Sequence, residues 1–211
     1  MKKLLADATV IDVEDLGAGS AVIKTNKRVV SAVAASSLKP KKFAQLLFRI
    51  VNHYKPEIIL ELGTSFGITS AYLAAANERA TVFTCEGSPA IAKIARKNFE
   101  QLQLKNIHLT EGDFAQTLSP LLAKLQVVNF AFIDGNHRKE PTLTYFTQLL
   151  DHATAYSMFV FDDIHWSEGM EEAWAIIKKH PAVTLSVDLF FIGIIFFNPD
   201  INHKQHFAIR F

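Results

Sequence analysis

Glu57-Ile58-Ile59-Leu60-Glu61-Leu62-Gly63-Thr64-Ser65-Phe66-Gly67, followed by the alanine-rich run from Ile68 to Asn77, decides the fold. Glu57 to Leu62 is short and apolar and stops at a glycine, which is the pattern of a buried strand. Ile68 to Asn77 reads as a helix. Strand, glycine turn and helix form the opening unit of a parallel α/β sheet.

The same texture repeats downstream. Thr81 to Glu86 is a second strand, and Ser88-Pro89 opens a helix running to about Leu102, with proline in the first helical position. Asn106 to Thr110 is a third strand, followed by a helix from Phe114 to Leu125 that contains Pro120. Val127 to Ile133 is a fourth strand, with a helix from Lys139 to His152. Ser157 to Phe161 is a fifth, and Ser167 to His180 forms a helix that Pro181 stops. Val183 to Phe197 then reads as two strands with no helix between them, and His206 to Phe211 as a short last strand. Fully apolar strands alternating with helices predict a mostly parallel sheet covered on both faces. Right-handed crossovers put every parallel strand's C-terminal end on one rim, where ligands bind. Gly63, Glu86, Asp113, Asp134 and Asp162 all fall at that rim.

The first fifty residues break the rhythm. Phe43 to Tyr54 is amphipathic, with Phe43, Leu46, Leu47, Ile50 and Val51 on one face. Residues 43–211 are expected to form the main domain and residues 1–42 an N-terminal extension or lid. The chain has 211 residues, 49% of them hydrophobic and 20% charged, with a formal net charge of +1. That composition suits one globular domain and gives no global field toward nucleic acid or anionic lipid. Cys85 is the one cysteine, so no internal disulfide can form, as suits a reducing cytoplasmic compartment. The most apolar run, Leu189 to Phe197, is too short to span a membrane as a helix.

The loop after the first strand can bind a ligand through the free N–H groups of a helix N-terminus. Its glycines are spaced Gly-x-x-x-Gly rather than GxGxxG, which suits a ligand without a pyrophosphate, such as the methionine carboxylate of S-adenosylmethionine. Thr64, Ser65, Thr69 and Ser70 offer hydroxyls nearby. Glu86 ends the next strand, where an acid takes ribose hydroxyls in such folds. Asp113 is placed for an adenine amino group, with Phe114 beside the ring. A second glycine loop, Asp15-Leu16-Gly17-Ala18-Gly19-Ser20, has the better glycine spacing, but no acid-terminated strand follows at the needed distance. It reads as an N-terminal turn.

From about Asp15 onward the chain resembles class I S-adenosylmethionine-dependent O-methyltransferases, particularly bacterial members akin to the catechol and caffeoyl-coenzyme A enzymes. The matching segments are Glu61 to Gly67, Cys85-Glu86-Gly87-Ser88, Glu111-Gly112-Asp113-Phe114, Phe132 to His137 and Phe161-Asp162-Asp163-Ile164-His165-Trp166. The resemblance implies a Rossmann-like sheet of seven strands, the last antiparallel. It implies that Glu61, Gly63, Thr64, Ser65, Gly67 and Thr69 line the methionine end. Glu86, with Gly87 and Ser88, would take the ribose, and Asp113 with Phe114 would sit by the adenine, with Asp134 also at the cofactor. In the metal-dependent branch, Asp134, Asp162 and Asp163 occupy the positions of the cation ligands. That branch carries Asn where this chain has Asp163, and Lys where it has His137.

Three carboxylates suit Mg²⁺ or another hard divalent cation, which could lower an acceptor hydroxyl's pKa. His137 is the candidate base, and Asp134 is the other candidate catalytic residue. His165 and Trp166 could contact the acceptor or simply close the loop. The phenylalanines at 190, 191, 196 and 197 read as sheet packing or a dimer surface rather than a substrate pocket. The function expected is methyl transfer to a small hydroxylated acceptor. A metal-independent N-methyltransferase, a non-catalytic S-adenosylmethionine-binding protein and a nucleotide-dependent oxidoreductase remain alternatives. Homodimer formation is left open.

Overall fold

The computed structural model describes residues 1–14, 26–37 and 40–211. The glycine loop at residues 15–20 lies outside the described residues. In chain order the elements are α1 (Lys2–Leu5), β1 (Val10–Asp12), β2 (Lys27–Val29), α2 (Val30–Ser37), α3 (Lys41–Tyr54) and β3 (Ile58–Leu62). The alternating part continues with α4 (Ile68–Ala76), β4 (Thr81–Glu86), α5 (Pro89–Gln101), β5 (Ile107–Glu111), α6 (Phe114–Leu122) and β6 (Phe130–Ile133). It ends with α7 (Lys139–Leu150), β7 (Met158–Asp162), α8 (Glu168–Lys179), β8 (Leu185–Asp188), β9 (Ile192–Phe196) and β10 (Gln205–Ala208).

The main sheet runs β10-β8-β9-β7-β6-β3-β4-β5. β9 is antiparallel to both β7 and β8, and every other pairing is parallel. The five parallel strands and the antiparallel C-terminal hairpin are present, and the short last strand expected at His206 to Phe211 is β10, which joins the edge of the same sheet and makes it eight-stranded rather than seven-stranded. β10 lies parallel to β8, with Gln205 opposite Leu185, and all four of its residues are exposed.

One apolar core lies on each sheet face. On one side Leu118, Phe146, Leu149, Trp174 and Ile177 from α6, α7 and α8 pack on Leu60, Ala131 and Phe161. On the other, Phe43, Leu47 and Val51 of α3 and Leu73 of α4 pack on Ile59, Phe130, Phe132 and Val160. The expected α3 face is therefore the buried one. Trp174 is core, and it dictates Gly193 in β9: a Cβ there would lie 2.7 Å from the indole ring.

Boundaries shift where side chains take over backbone work. The fourth strand begins at Phe130 rather than Val127, and just before it the Asn129 side chain accepts from the Ile58 amide at 2.9 Å and ties the entry to β3. α6 carries Pro120 within it and closes at Leu122. Ser167 caps α8 by accepting from the Met170 amide. Among the described residues, no helix is long and apolar enough to cross a membrane.

Candidate active site

Parallel register brings the expected residues together. Leu62 pairs with Cys85 on one side and Ile133 on the other, and Ile133 pairs with Phe161. The residues that follow, Gly63, Glu86, Asp134 and Asp162, therefore emerge side by side on one rim, with Asp113 at the outer end beyond β5.

The loop after β3 is anchored from below. The Gly63 and Thr64 amides both donate to Cys85 O, at 3.0 and 3.1 Å. Gly63 has φ +106°, and a Cβ there would lie 2.1 Å from the backbone oxygen of Asp134. Gly67 has φ +78°, and its Cβ would lie 2.3 Å from the Phe99 ring. Both glycines answer first to the protein's own packing: one lets the loop lie on the exit of β6, the other lets α5 approach.

Glu61 is fully buried beneath this loop. Its Oε2 accepts from Ser70 Oγ and, at 2.6 Å, from Thr84 Oγ1. Thr84 gives its proton to Glu61, so Thr64 Oγ1, 2.6 Å from Thr84 Oγ1, must be the donor in that contact. The Thr64 hydroxyl is thus turned inward to Thr84. Glu61 Oε1 has no hydrogen-bond partner. Burial pushes the Glu61 carboxyl up to about 8, against the opposing pull of Ser70 and Thr84. The role of Thr84 escaped sequence reading, although strand pairing holds the signal: it lies directly opposite Glu61 in β4.

Glu86 ends β4 with both carboxylate oxygens engaged by backbone. Oε2 accepts from the Ser65 amide and Oε1 from the Ser88 amide, each at 2.9 Å. Ser65 itself has φ +48°, so this bond holds the loop in an uncommon conformation. Gly87 leads into Ser88, which is buried and whose Oγ makes no hydrogen bond. Thr69, in the first turn of α4, is buried. Asp113 caps α6, accepting from the Ala115 amide at 3.0 Å. Phe114 packs over Gly135, where a Cβ would lie 2.7 Å from its ring, and meets Tyr145 edge-on.

Beyond the loop lies a cluster of acids. Ligand atoms of Asp134, His137 and Asp162 lie within 4.8 Å of one another. Asp162 is buried, whereas Asp134 and His137 are partly exposed. His137 reaches the cluster because Asn136 and His137 have φ +70° and +34°, which turns the chain back after Gly135. His137 Nε2 is 3.7 Å from Asp134 Oδ1 and Nδ1 is 3.9 Å from Asp163 Oδ2. Asp163 (φ +52°) stands on the far side of the imidazole from Asp134. Among the described residues, the side chains close enough together to share a cation are those of Asp134, His137 and Asp162. Its two carboxylates match a divalent charge, with the imidazole as third donor.

A second histidine completes the rim. His165 Nε2 is 2.9 Å from Asp188 Oδ2 and Nδ1 is 3.1 Å from Glu171 Oε1. Burial alone would lower its pKa, but these two carboxylates outweigh it and hold the imidazole above its ordinary value. With both nitrogens engaged, His165 is no base. It ties the loop after β7 to the turn between β8 and β9, where Asp188 also accepts from Trp174 Nε1 at 3.0 Å. Asp188 went unread because the sequence gives no sign that this turn reaches the rim. Trp166, Phe190 and Phe191 are exposed beside it, whereas Phe197 is buried.

Residues 60–164 match the family model described as a methyltransferase domain. No curated protein matches the sequence significantly. Among solved structures, the O-methyltransferase from Bacillus cereus in complex with SAH is 22% identical, with a TM-score of 0.68 over 79% of this chain and 88% of that one. The SAH-bound methyltransferase PaMTH1 of Podospora anserina is 18% identical, with a TM-score of 0.68 over 77% and 81% of the two chains. The O-methyltransferase TomG of Streptomyces achromogenes, in complex with SAM, is 19% identical, with a TM-score of 0.67 over 77% and 82%. At these identities the likeness is one of fold.

Proposed function

We propose that this chain, which belongs to the methyltransferase-domain family, transfers a methyl group from S-adenosylmethionine to a hydroxyl of a small acceptor. Residues 43–211 would form the catalytic domain and residues 1–42 an N-terminal extension to it. The observation that carries the reading is Glu61 Oε1, a buried oxygen with no hydrogen-bond partner beneath a loop of backbone amides. A buried carboxylate left half-satisfied is costly, and a ligand cation would relieve it. Ser88 Oγ, also buried and without a hydrogen bond, adds a second polar atom of the same kind one strand away.

The residues fit the cofactor. Glu61 would take the methionine ammonium, and the loop from Gly63 to Gly67, with Thr64, Ser65 and Thr69, would flank the carboxylate. Glu86, with Gly87 and Ser88, would hold the ribose. Asp113 and Phe114 would bracket the adenine. When bound, S-adenosylmethionine supplies a methyl already activated on a sulfonium. The protein's own task is then to align the acceptor and remove its proton.

Asp134, His137 and Asp162 fit a divalent cation such as Mg²⁺, which would supply the charge that makes an acceptor hydroxyl acidic. His137 cannot serve as ligand and base through one nitrogen. With Nε2 turned to Asp134, Nδ1 remains to move the acceptor's proton, and Asp163 orients the ring and steadies its charge. The same arrangement supports a metal-free reading, in which His137 between two carboxylates is the whole base.

Titration with S-adenosylhomocysteine, then transfer of a labelled methyl to a panel of catechols and simple phenols with Mg²⁺ or with excess chelator, tests both. Saturable binding and chelator-sensitive transfer are expected. No binding at high protein concentration would overturn the cofactor reading. Full transfer in chelator would overturn the cation and leave His137 as base.

A further inference from the structure

Phe66 is the one large apolar residue in a loop otherwise made of glycine, threonine and serine, and it is fully buried. It does not point into either core of the sheet. Its cluster is Leu4, Val13, Val30, Val33 and Ala34 of the N-terminal unit, with Ile91 of α5. That unit is a small fold of its own kind: β1 and β2 pair antiparallel, Val10 opposite Val29, and α2 follows directly. The Val30 amide donates to Thr9 O and the Ser31 amide to Asp7 O, which close the unit on itself.

A second contact comes from the end of α2. Ser37 Oγ lies 3.2 Å from Ser65 Oγ, and Ser65 is the loop residue with φ +48° whose amide bonds Glu86. On the opposite side, Asn98 Nδ2 of α5 donates to Phe66 O at 2.8 Å. The loop from Gly63 to Gly67 is thus gripped from two sides, by α5 and by the N-terminal unit. These two contacts hold the loop from outside, while Cys85 O and Glu86 hold its amides from within.

We infer that the N-terminal unit, docked through Phe66, is the positioning element of the cofactor loop, so that its docking and cofactor binding stabilise each other. This rests on the S-adenosylmethionine reading of the loop. Phe66 acts through its neighbours: its side chain is buried away from solvent while the backbone on either side carries the loop amides. Linkage makes the coupling reciprocal, so whatever strengthens docking strengthens binding by the same factor, and the reverse. Sequence reading placed residues 1–42 as an extension or lid; a brace on the loop is a different task, exerted from behind the site.

Three variants and one wild-type measurement test this with S-adenosylhomocysteine as probe on the full chain. Phe66→Ala removes the knob, and Val33→Asp undocks the unit without changing any residue of the loop. Each should raise the Kd at least tenfold, and Phe66→Leu should restore most of the loss. In the wild type, the probe should slow amide hydrogen exchange across Val30 to Ser37. Folded variants that bind the probe within twofold of wild type, or α2 exchange that the probe leaves unchanged, would overturn the brace. If a variant fails to fold, the wild-type exchange measurement decides. Absence of binding to the wild type is a separate result: it removes the cofactor reading and the brace with it.

Discussion

The Ser65 amide donates to Glu86 Oε2 at 2.9 Å, so the acid that ends β4 also holds the loop that ends β3. Glu86 has a structural task before any ligand arrives, and its other oxygen is likewise set by the Ser88 amide. A carboxylate fixed by two backbone N–H groups is pre-aimed, so turning it to a diol costs little further ordering.

Glu86→Ala should therefore do two things together. Hydrogen bonds to charged groups contribute roughly 1.5–3 kcal/mol each, so binding of S-adenosylhomocysteine should weaken by at least tenfold. The Ser65 amide, deprived of its acceptor, should exchange faster even without ligand. Calorimetry paired with amide exchange reads both, and a variant that loses affinity while Ser65 stays protected would show that the bond does not hold the loop.

Glu61 gives a pH prediction whose sign is fixed. Its folded pKa, about 8, stands above the ordinary carboxyl value of 4.5. The stabilisation that comes with the protonated form is complete below the unfolded pKa and is lost as pH rises through 8. Without ligand, wild type should lose stability from about pH 5 to pH 9. Glu61→Gln keeps the geometry and cannot ionise, so it should match wild type at pH 5 and exceed it at pH 9 by an amount on the order of a few kcal/mol. Denaturant melts at the two pH values measure this, and parallel curves for both proteins would refute it. Affinity for S-adenosylhomocysteine should move the other way, rising with pH in wild type as Glu61 ionises beside the ligand's ammonium.

How much of this was legible depends on what each residue's position rests on. Gly63, Glu86, Asp113, Asp134 and Asp162 were legible because each follows an apolar run, and parallel pairing carries strand ends to one rim without any further information. Thr84 opposite Glu61 depends on register, which a single strand does not display. His137 depends on two successive residues with positive φ, Asn136 and His137, and neither is glycine, so nothing in the residue types announces the turn. Asp162 and Asp163 are adjacent in sequence and looked alike. A positive φ at Asp163 separates them: Asp162 is buried and near the partly exposed Asp134, and Asp163 lies beyond the imidazole. The N-terminal unit was opaque because its strands are three residues each and their pairing bridges a long gap in the chain.

That separation is testable by substitutions that remove a carboxylate's charge while keeping its shape. Asp134→Asn and Asp162→Asn should each weaken a divalent cation by at least tenfold, and His137→Ala should weaken it less, since one neutral donor is lost. Asp163→Asn should leave cation affinity within about threefold of wild type, because it lies outside the donor group, while lowering turnover through the orientation of His137. Titration with Mn²⁺ followed by paramagnetic relaxation reads affinity without an acceptor. An Asp163→Asn loss as large as that of Asp162→Asn would return Asp163 to the ligand set.

Gly63→Ala should be among the most damaging single-methyl changes in the protein, and a matched control makes the reason visible. At Gly63 the added Cβ meets Asp134 O at 2.1 Å, a backbone atom that cannot swing aside, and φ +106° is itself unfavourable for alanine. Relief requires moving either the cofactor loop or the exit of β6, so the expected loss is at least 2–3 kcal/mol of stability, together with weakened S-adenosylhomocysteine binding. Gly169, in the first turn of α8, is the control. Its nearest neighbour for a Cβ is Lys139 Cβ at 3.6 Å, ordinary contact, and its backbone is helical. Gly169→Ala should therefore stabilise by roughly 0.5–1 kcal/mol, the ordinary gain of alanine over glycine in a helix. Thermal melts of the two variants should shift in opposite directions. If Gly63→Ala melts like wild type, the close approach of the loop to Asp134 is wrong, and with it the placement of Asp134 beneath the loop.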